Sequence, residues 1–429
     1  MSESPAASAP LIQVSPDCPS LDTSLTVRLL HCPPDGLVTV CANTPEGVGR
    51  TWRSAATFRA DGEGRVDLTR QAPVSGDYTG AAAMGLVWSM TLDDTAPRGE
   101  PSVLTPLPLT LTAEIAGRPV AAARVNRLRL PDGVRRTVIR ERDLVGTLFT
   151  PTSCPSCPGV ILLGGSEGGS HEADTALLAA HGFAVFALAY LGMPGLPTRL
   201  AEIPLEYFGT AIDFLREQDR VEAGPLGIVG RSRGGEAALL IAATHTEIGA
   251  VVSTVGSGVM TAGFPLDTEA ARVPTWTLGG RPLPFLPSVR TPEVAEQLAG
   301  GGPVEMRTAF LAGMRDEAAL AASAIPVERV NGAVLLISSG DDRVWPSAAL
   351  SDVALRRLED ADHPFPYHHV SYPEAGHAIA GAPHVPATGL ASAGPGRSLA
   401  FGGTPRANAE ARADAWRRTI AFLAANLTA

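Results

Sequence analysis

The sequence predicts a two-part fold: a β-rich sandwich followed by a larger α/β unit built on a mainly parallel sheet flanked by helices. Three observations predict it. Short β-like runs broken by turn residues occupy the N-terminal part, and strands alternating with helical patterns occupy the rest. The third is the stretch from Leu226 to Leu240, which reads as an apolar strand, a sharp turn and an Ala/Leu-rich helix. At 429 residues the chain is long for one domain and has ample capacity for a buried core. The division read from it is a disordered N-terminus over 1–10, a sandwich over 11–134 and an α/β unit over 135–429, with an insertion at about 256–327.

In chain order, the first part offers β-like runs at Leu25 to Leu30, Leu37 to Ala42, Ala56 to Arg59, Arg65 to Leu68 and Pro108 to Ile115. Asp61-Gly62-Glu63-Gly64, between Phe58 and Val66, has the composition of a hairpin turn. Trp88 and Tyr78, set among Gly76, Gly80 and Gly85, read as packing residues, because isolated aromatics at turn-rich positions usually fill space. Around Pro131-Asp132-Gly133 the pattern changes, and Val138 to Phe149 reads as a hairpin entering the second part.

The second part begins with a buried-strand run, Pro158 to Leu163, that ends in Gly164-Gly165-Ser166-Glu167-Gly168-Gly169. A helical stretch to His181, a strand from Phe183 to Tyr190 and an amphipathic helix from Leu205 to Glu217 follow. Then come the Leu226 strand with its helix and a strand from Ile248 to Val255. The Pro/Gly-rich insertion carries Trp276, Phe285 and a predicted helix near Val304 to Ala322, and its length suits a lid or pocket wall. The pattern resumes with a strand at Ala333 to Ser338, a helix from Ser347 to Leu358, a strand at His368 to Tyr372 and a last helix from about Ala409 to Leu427.

Within this frame the Leu226 stretch holds Gly230-Arg231-Ser232-Arg233-Gly234, a Gly-x-Ser-x-Gly. Small neighbours let the chain turn tightly and lift the serine hydroxyl out of the sheet, which makes Ser232 the candidate nucleophile. A nucleophile of this kind is followed in chain order by an acid and then a histidine, each after a later strand. Gly340-Asp341-Asp342-Arg343 follows the strand ending at Ser338, and Asp342, four residues before Pro346, is preferred to Asp341 as the acid. The candidate histidine is His377, directly after the last strand, with His384 its rival on placement. Developing charge on a substrate carbonyl would need backbone donors. The amide of Arg233 is the first expected donor, and the glycine-rich loop supplies the second, preferably Ser166, with Gly165 or Glu167 as alternatives.

Composition narrows the chemistry further. The net charge of −10 argues against a sequence-independent nucleic-acid binder, which needs a basic surface to displace phosphate counterions. All 34 basic residues are arginines, so Schiff-base chemistry and a lysine-dependent phosphate loop are excluded. No stretch approaches the ~20 apolar residues of a membrane helix, and the N-terminus lacks the charged and apolar regions of a secretion signal, so a cytoplasmic protein is expected. The five cysteines do not form an even disulfide framework, and Cys154-Pro155-Ser156-Cys157 lacks the further ligands of a metal site.

The chain resembles the type I acyl-CoA thioesterases and bile acid-CoA:amino acid N-acyltransferases over nearly its whole length. The likeness is carried by Phe58-Arg59-Ala60 with Gly64-Arg65-Val66-Asp67-Leu68, by Gly76-Asp77-Tyr78 and by Met84 to Ser89. Further on it rests on Pro158-Gly159-Val160 through Gly165, His181-Gly182-Phe183-Ala184, Leu205-Glu206-Tyr207-Phe208, Ile325-Pro326-Val327-Glu328, the Asp341-Asp342 turn with Trp345, Ser371 to His377, and Gly402 to Trp416. The resemblance implies an immunoglobulin-like N-terminal sandwich and a C-terminal α/β-hydrolase domain, with Ser232, Asp342 and His377 matching the family's triad. Ser232-Arg233-Gly234-Gly235-Glu236 is similar to the thioesterase version, Ser-Lys-Gly-Gly-Glu, whereas amino-acid-conjugating members carry cysteine at the elbow. The arginine in place of lysine is a departure, and the end Leu427-Thr428-Ala429 is no peroxisomal tripeptide. The implied activity is serine-dependent cleavage of an acyl thioester, most plainly acyl-CoA. Coenzyme A enters only as part of the substrate, and no metal or redox cofactor is called for. An acyl carrier protein as partner, and transfer to an amine or alcohol, are the alternative readings within the same chemistry, with an esterase, a peptidase or a non-catalytic binding protein beyond it.

Overall fold

The computed structural model describes residues 8–46, 50–93, 104–263, 272–387, 390–392 and 398–427. The N-terminal disorder expected over 1–10 therefore lies, for residues 1–7, outside the described residues, as do 264–271 of the insertion and the final two residues of the chain. The described chain forms two compact units, which divide at Pro131 and Asp132.

The first unit contains β1 (Leu11–Ser15), β2 (Thr26–Leu30), β3 (Leu37–Glu46), β4 (Arg50–Arg59), β5 (Val66–Asp67), β6 (Ser75–Gly76), the short helix α1 (Gly85–Trp88), β7 (Thr91–Asp93), β8 (Leu107–Ile115) and β9 (Arg118–Arg127). They make two antiparallel sheets, one ordered β1-β2-β5 and one ordered β6-β4-β3-β8-β9, with β7 beside β4. Strict alternation builds each buried face: Leu107, Leu109, Leu111 and Ala113 point inward from β8 while the residues between them are partly exposed. Tyr78 and Trp88 are buried edge to face at 5.5 Å, the packing role expected of them.

The hairpin expected between Phe58 and Val66 is different in kind. The turn exists, with the Gly64 amide donating to the Asp61 carbonyl at 2.9 Å, but β4 and β5 belong to different sheets, so it is a crossover. Asp61 stabilises it locally by accepting the amides of Glu63 and Arg65, which gives the sequence its hairpin signature whatever the strands beyond it do. A short segment from Ala382 onward also belongs to this unit, where the Ala387 amide donates to the Trp88 carbonyl at 3.1 Å. That return of the chain, after the last core strand, has no counterpart in the contiguous division read from sequence.

The second unit runs through β10 (Val134–Ile139), β11 (Val145–Pro151), β12 (Gly159–Leu163), α2 (Glu172–Ala180), β13 (Ala184–Ala189), β14 (Ile203–Pro204), α3 (Glu206–Arg216), β15 (Leu226–Arg231), α4 (Arg233–Thr244) and β16 (Ile248–Thr254). The insertion contributes β17 (Trp276–Leu278), β18 (Arg281–Pro282), α5 (Pro292–Gly300), α6 (Arg307–Gly313) and α7 (Glu317–Ser323). Then follow β19 (Ala333–Ser339), α8 (Ser347–Asp360), β20 (Tyr367–Tyr372), β21 (Leu390–Ser392), β22 (Ser398–Ala400) and α9 (Pro405–Leu427). Among the described residues no helix is long and apolar enough to cross a membrane.

Eight strands form the central sheet in the order β10-β11-β13-β12-β15-β16-β19-β20. β10, β11 and β13 pair antiparallel, and from β13 through β20 every neighbour is parallel. This is an α/β-hydrolase-like architecture. Every residue of β12 and β13 is buried, as expected where helices cover both faces of a parallel sheet. Ile161, Phe186, Ile228, Val251 and Leu336 join Leu239 of α4 in one core, each such side chain contributing about 1.5–3 kcal/mol of burial. The chain runs from β12 to β13 on one side and returns for β15 on the other, so the loops leaving β12 and β15 face each other across the point where strand order reverses. Ligand sites of parallel sheets form at such points.

The single helix predicted near Val304 to Ala322 is two short helices, α6 and α7, because Asp316 takes the amide of Ala319 at 2.9 Å and caps a new helix start. The last helix begins at Pro405, ahead of the predicted Ala409, where Thr404 Oγ1 accepts the Ala407 amide and proline fits the first turn.

Candidate active site

Ser232 stands between β15 and α4 with φ 51° and ψ −121°, a left-handed conformation costly for a residue bearing a Cβ. Its amide donates to the Thr254 carbonyl at 2.9 Å, and its own carbonyl accepts from Gly235 and Glu236, so the turn is held from both sides. The glycines are required by space. A Cβ on Gly230 would lie 1.9 Å from the Gly234 carbonyl oxygen, and one on Gly234 would lie 2.2 Å from the oxygen of Gly164 in the glycine-rich loop.

Two later loops bring polar side chains to this turn. Ser232 Oγ lies 2.9 Å from His377 Nε2, and His377 Nδ1 lies 2.8 Å from Asp342 Oδ2. An ionised carboxylate only accepts, so His377 donates from Nδ1 and its Nε2 accepts from the serine hydroxyl. Asp342 is fully buried and takes the amides of Val344 (3.0 Å) and Trp345 (3.2 Å) on its other oxygen. Arg307, at the start of α6, donates from Nη1 to the carbonyls of Gly340 (2.7 Å) and Asp342 (3.0 Å) and so pins the acid loop. The histidine loop is fixed by the His377 amide on the Phe401 carbonyl (2.7 Å) and the Gly376 amide on Asn408 Oδ1 (2.7 Å). The imidazole itself sits edge-on between Phe401 (5.5 Å) and Trp345 (6.2 Å).

The rival residues are engaged elsewhere. Asp341 accepts from the Gly403 amide (2.8 Å) and Arg343 (3.2 Å). Although partial burial opposes it, these donors hold its carboxyl below the ordinary range. His384 lies in the segment that belongs to the first unit. A second Ser-His-Asp chain does occur: Ser338 Oγ is 2.7 Å from His369 Nε2, and His369 Nδ1 is 3.2 Å from Asp352. Ser338 is fully buried within the regular strand β19, with no turn to present its hydroxyl. Geometry among the three side chains is therefore not enough; the strained turn separates the two constellations.

The loop after β12 meets the elbow directly, since a Cβ on Gly165 would stand 3.2 Å from that of Ser232. The three expected oxyanion donors differ in their surroundings. Arg233 opens α4, where a first-turn amide has no intrahelical acceptor. The Gly165 amide is directed to Glu167 Oε1 at 3.2 Å. Glu167 also accepts from Arg231 Nε (3.0 Å) and is 3.2 Å from His171 Nε2. Desolvation would raise its pKa, but Arg231 and His171 hold the carboxyl well below the ordinary range. A cavity behind β15, lined by Leu163, Val229, Arg231, Ile379, Trp416 and Thr419, includes neither Ser232 nor His377.

Sequence reading brought Ser232, Asp342 and His377 forward but missed Arg307, Phe401 and Asn408. A lone arginine inside an irregular insertion and a phenylalanine just before Gly402 carry no motif; Asn408 falls within the Gly402 to Trp416 stretch of the family likeness, but nothing in that stretch gives an asparagine a role at the histidine loop. Among the described residues no group of three or more His, Cys, Asp or Glu side chains is placed to hold a metal ion. The five cysteines are unpaired. Burial and the neighbouring Cys154 push the Cys157 thiol up to about 12, which leaves it an unreactive thiol.

Residues 203–429 match the family described as BAAT / Acyl-CoA thioester hydrolase C terminal, and residues 22–141 match Acyl-CoA thioester hydrolase/BAAT N-terminal region. Acyl-coenzyme A thioesterase 1 of Mus musculus is 31% identical over 411 residues, covering 94% of this chain and 93% of that protein. The protein of the same name from Rattus norvegicus is 32% identical, covering 93% and 92%. Acyl-coenzyme A thioesterase 2, mitochondrial, of Homo sapiens is 31% identical, covering 94% and 81%. Since one of these names carries a mitochondrial placement, the likeness does not fix the compartment, and the cytoplasmic expectation rests on the sequence alone.

Proposed function

The chain belongs to the acyl-CoA thioester hydrolase/BAAT family, and we propose that within it the protein is a serine thioesterase that cleaves acyl-CoA through an acyl-Ser232 intermediate. The observation that carries this reading is the hydrogen-bonded chain Ser232, His377, Asp342 joined to a left-handed serine at a strand-to-helix turn.

Ser232 Oγ attacks the thioester carbonyl while its proton passes to His377 Nε2. Asp342 holds the ring in the tautomer that leaves Nε2 free to accept and stabilises the cation that results. The carbonyl oxygen, now anionic, is met by the amides of Arg233 and Ser166. Collapse of the tetrahedral species breaks the carbon–sulfur bond, and the leaving thiolate takes the proton from His377. A thiol of pKa ~8.5 leaves readily, so nucleophile activation and oxyanion binding are the demanding steps. Water, deprotonated by His377, then attacks the acyl-serine, and the free acid departs as Ser232 recovers its proton. Every Lys/Arg-type cation of the chain is an arginine, and the planar fork of its guanidinium suits the phosphates of coenzyme A. We propose, too, that the N-terminal unit is an immunoglobulin-like sandwich, a reading its two antiparallel sheets support.

Thiol release tests the reading: short, medium, long, branched and aromatic acyl-CoAs, an acyl-carrier-protein thioester and p-nitrophenyl esters, each with and without glycine or taurine, beside Ser232→Ala. Release from acyl-CoA that needs no amine and disappears in the variant is the expected result. Release only with an amine moves the protein to the acyltransferases, and cleavage of esters alone removes the thioester assignment.

A further inference from the structure

Resting on that reading, we propose that the Arg233 side chain is a positioning residue: tied to Glu236, it fixes the amide that meets the oxyanion and braces Trp345 against the acid–histidine pair.

Arg233 follows the nucleophile, and its guanidinium is turned into the protein, 2% exposed, with Glu236 wholly buried one helical turn on. Nη1 donates to Glu236 Oε2 at 2.8 Å and Nη2 to the Ala262 carbonyl at 3.0 Å, while Nε has no partner among the described residues. Glu236 also takes the Thr261 amide (3.1 Å), the Thr261 hydroxyl (2.8 Å) and the Trp276 indole N–H (2.8 Å). Desolvation pushes the Glu236 carboxyl up, yet four converging donors need an acceptor on every side, which a carboxylate supplies. A buried ion pair is a weak source of stability compared with apolar side chains of the same volume. What this one supplies is direction.

The guanidinium ties three segments together at the turn. Glu236 anchors it to α4, Ala262 to the insertion, and its carbon lies 5.3 Å from the centre of the Trp345 ring. Trp345 gives its backbone amide to Asp342, its indole N–H to the Val255 carbonyl (2.9 Å), and its ring to His377. One side chain thus sets the donor expected at the oxyanion and the ring beside the general base. Donors of this kind are effective because they are fixed before charge develops. Arginine can make the two donations and the ring contact at once, whereas the compact ammonium of lysine lacks the planar fork that joins them.

The test uses the full chain and three readouts: the rate at which a fluorophosphonate labels Ser232, kcat and KM on the preferred acyl-CoA, and binding of its non-cleavable thioether analogue. Arg233→Met is expected to lower the labelling rate and kcat together by about 10- to 100-fold, with thioether affinity unchanged. Arg233→Lys recovers only part of the loss, because the ammonium keeps a charge beside Glu236 but cannot join Glu236, Ala262 and Trp345 at once, and Glu236→Gln lowers both rates in the same direction. Adding Glu236→Gln to Arg233→Met costs little more than either change, because the two act as one unit. Melting temperatures identify a variant that fails to fold, in which case Arg233→Lys and Glu236→Gln decide. Labelling at the wild-type rate in Arg233→Met, or a fall in thioether binding equal to the fall in kcat, overturns the assignment. A wild-type chain that labels normally but cleaves no thioester sinks the thioesterase reading instead and leaves this one standing.

Discussion

Asp341 and Asp342 are neighbours in the chain and face different partners: Asp342 Oδ2 accepts a hydrogen bond from His377 Nδ1 at 2.8 Å, while Asp341 Oδ2 accepts one from the Gly403 amide at 2.8 Å. One is fully buried, and the other leaves 42% of its side chain exposed.

The two should therefore separate cleanly on substitution. Asp342→Asn keeps the shape but favours the wrong tautomer of His377, and kcat is expected to fall by about 10⁴-fold. Asp341→Asn weakens a half-exposed pair with Arg343 and a loop contact, and activity is expected to stay within about tenfold. Steady-state thiol release from both variants checks this, and comparable losses would contradict the assignment of the acid.

The two Ser-His-Asp chains make a second contrast. Ser232→Ala should abolish fluorophosphonate labelling. Ser338→Ala removes one buried hydrogen bond and should cost about 1 kcal/mol of stability while labelling and turnover persist. Mass spectrometry of the labelled chain locates the modified serine, and label on Ser338 would be the contrary result.

Gly234→Ala should damage the fold itself. Its Cβ would meet two backbone oxygens, those of Gly164 at 2.2 Å and Leu163 at 2.7 Å, and neither can swing aside as a side chain would. A loss of about 3 kcal/mol is expected, read as a lower urea midpoint. Gly62→Ala, where nothing among the described residues lies within 4 Å of the added carbon, is the matched control.

Acid sensitivity should trace in part to His369. Burial lowers its pKa from 6.5 in the folded protein, against the pull of Asp352. Below pH 6.5 the unfolded chain therefore binds this proton more readily than the folded one, so stability is lost as pH falls and is fully present above. His369→Gln is expected to reduce the drop in melting temperature between pH 7.5 and pH 5.5, and an unchanged drop would exclude His369 as a source.

Much of the fold and of the site is legible in the sequence. β12, β13 and β15 announce themselves because strands buried on both faces are continuous apolar runs, and the glycines of the elbow are visible because only they fit. Order along the chain then placed the acid and the histidine. What stayed hidden depends on residues distant in sequence. Half of β9 is exposed and it is rich in alanine and arginine, so its pattern resembles neither a core strand nor a turn. The crossover after Asp61 carries the same local bonds as a hairpin. Arg307 acts on two carbonyls more than thirty residues away, and the buried Arg233–Glu236 pair looked from sequence like a substitution of one cation for another.

The left-handed backbone of Ser232 has a consequence for the history of such a chain. A residue at φ 51° carries strain of order 1–3 kcal/mol that glycine would not. Any descendant released from the need to turn over substrate would gain thermal stability by exchanging the serine for glycine, a change of one residue that leaves the turn in place. The hydroxyl stands here against the preference of its own backbone, and the proposed nucleophilic role is the use that offsets that strain.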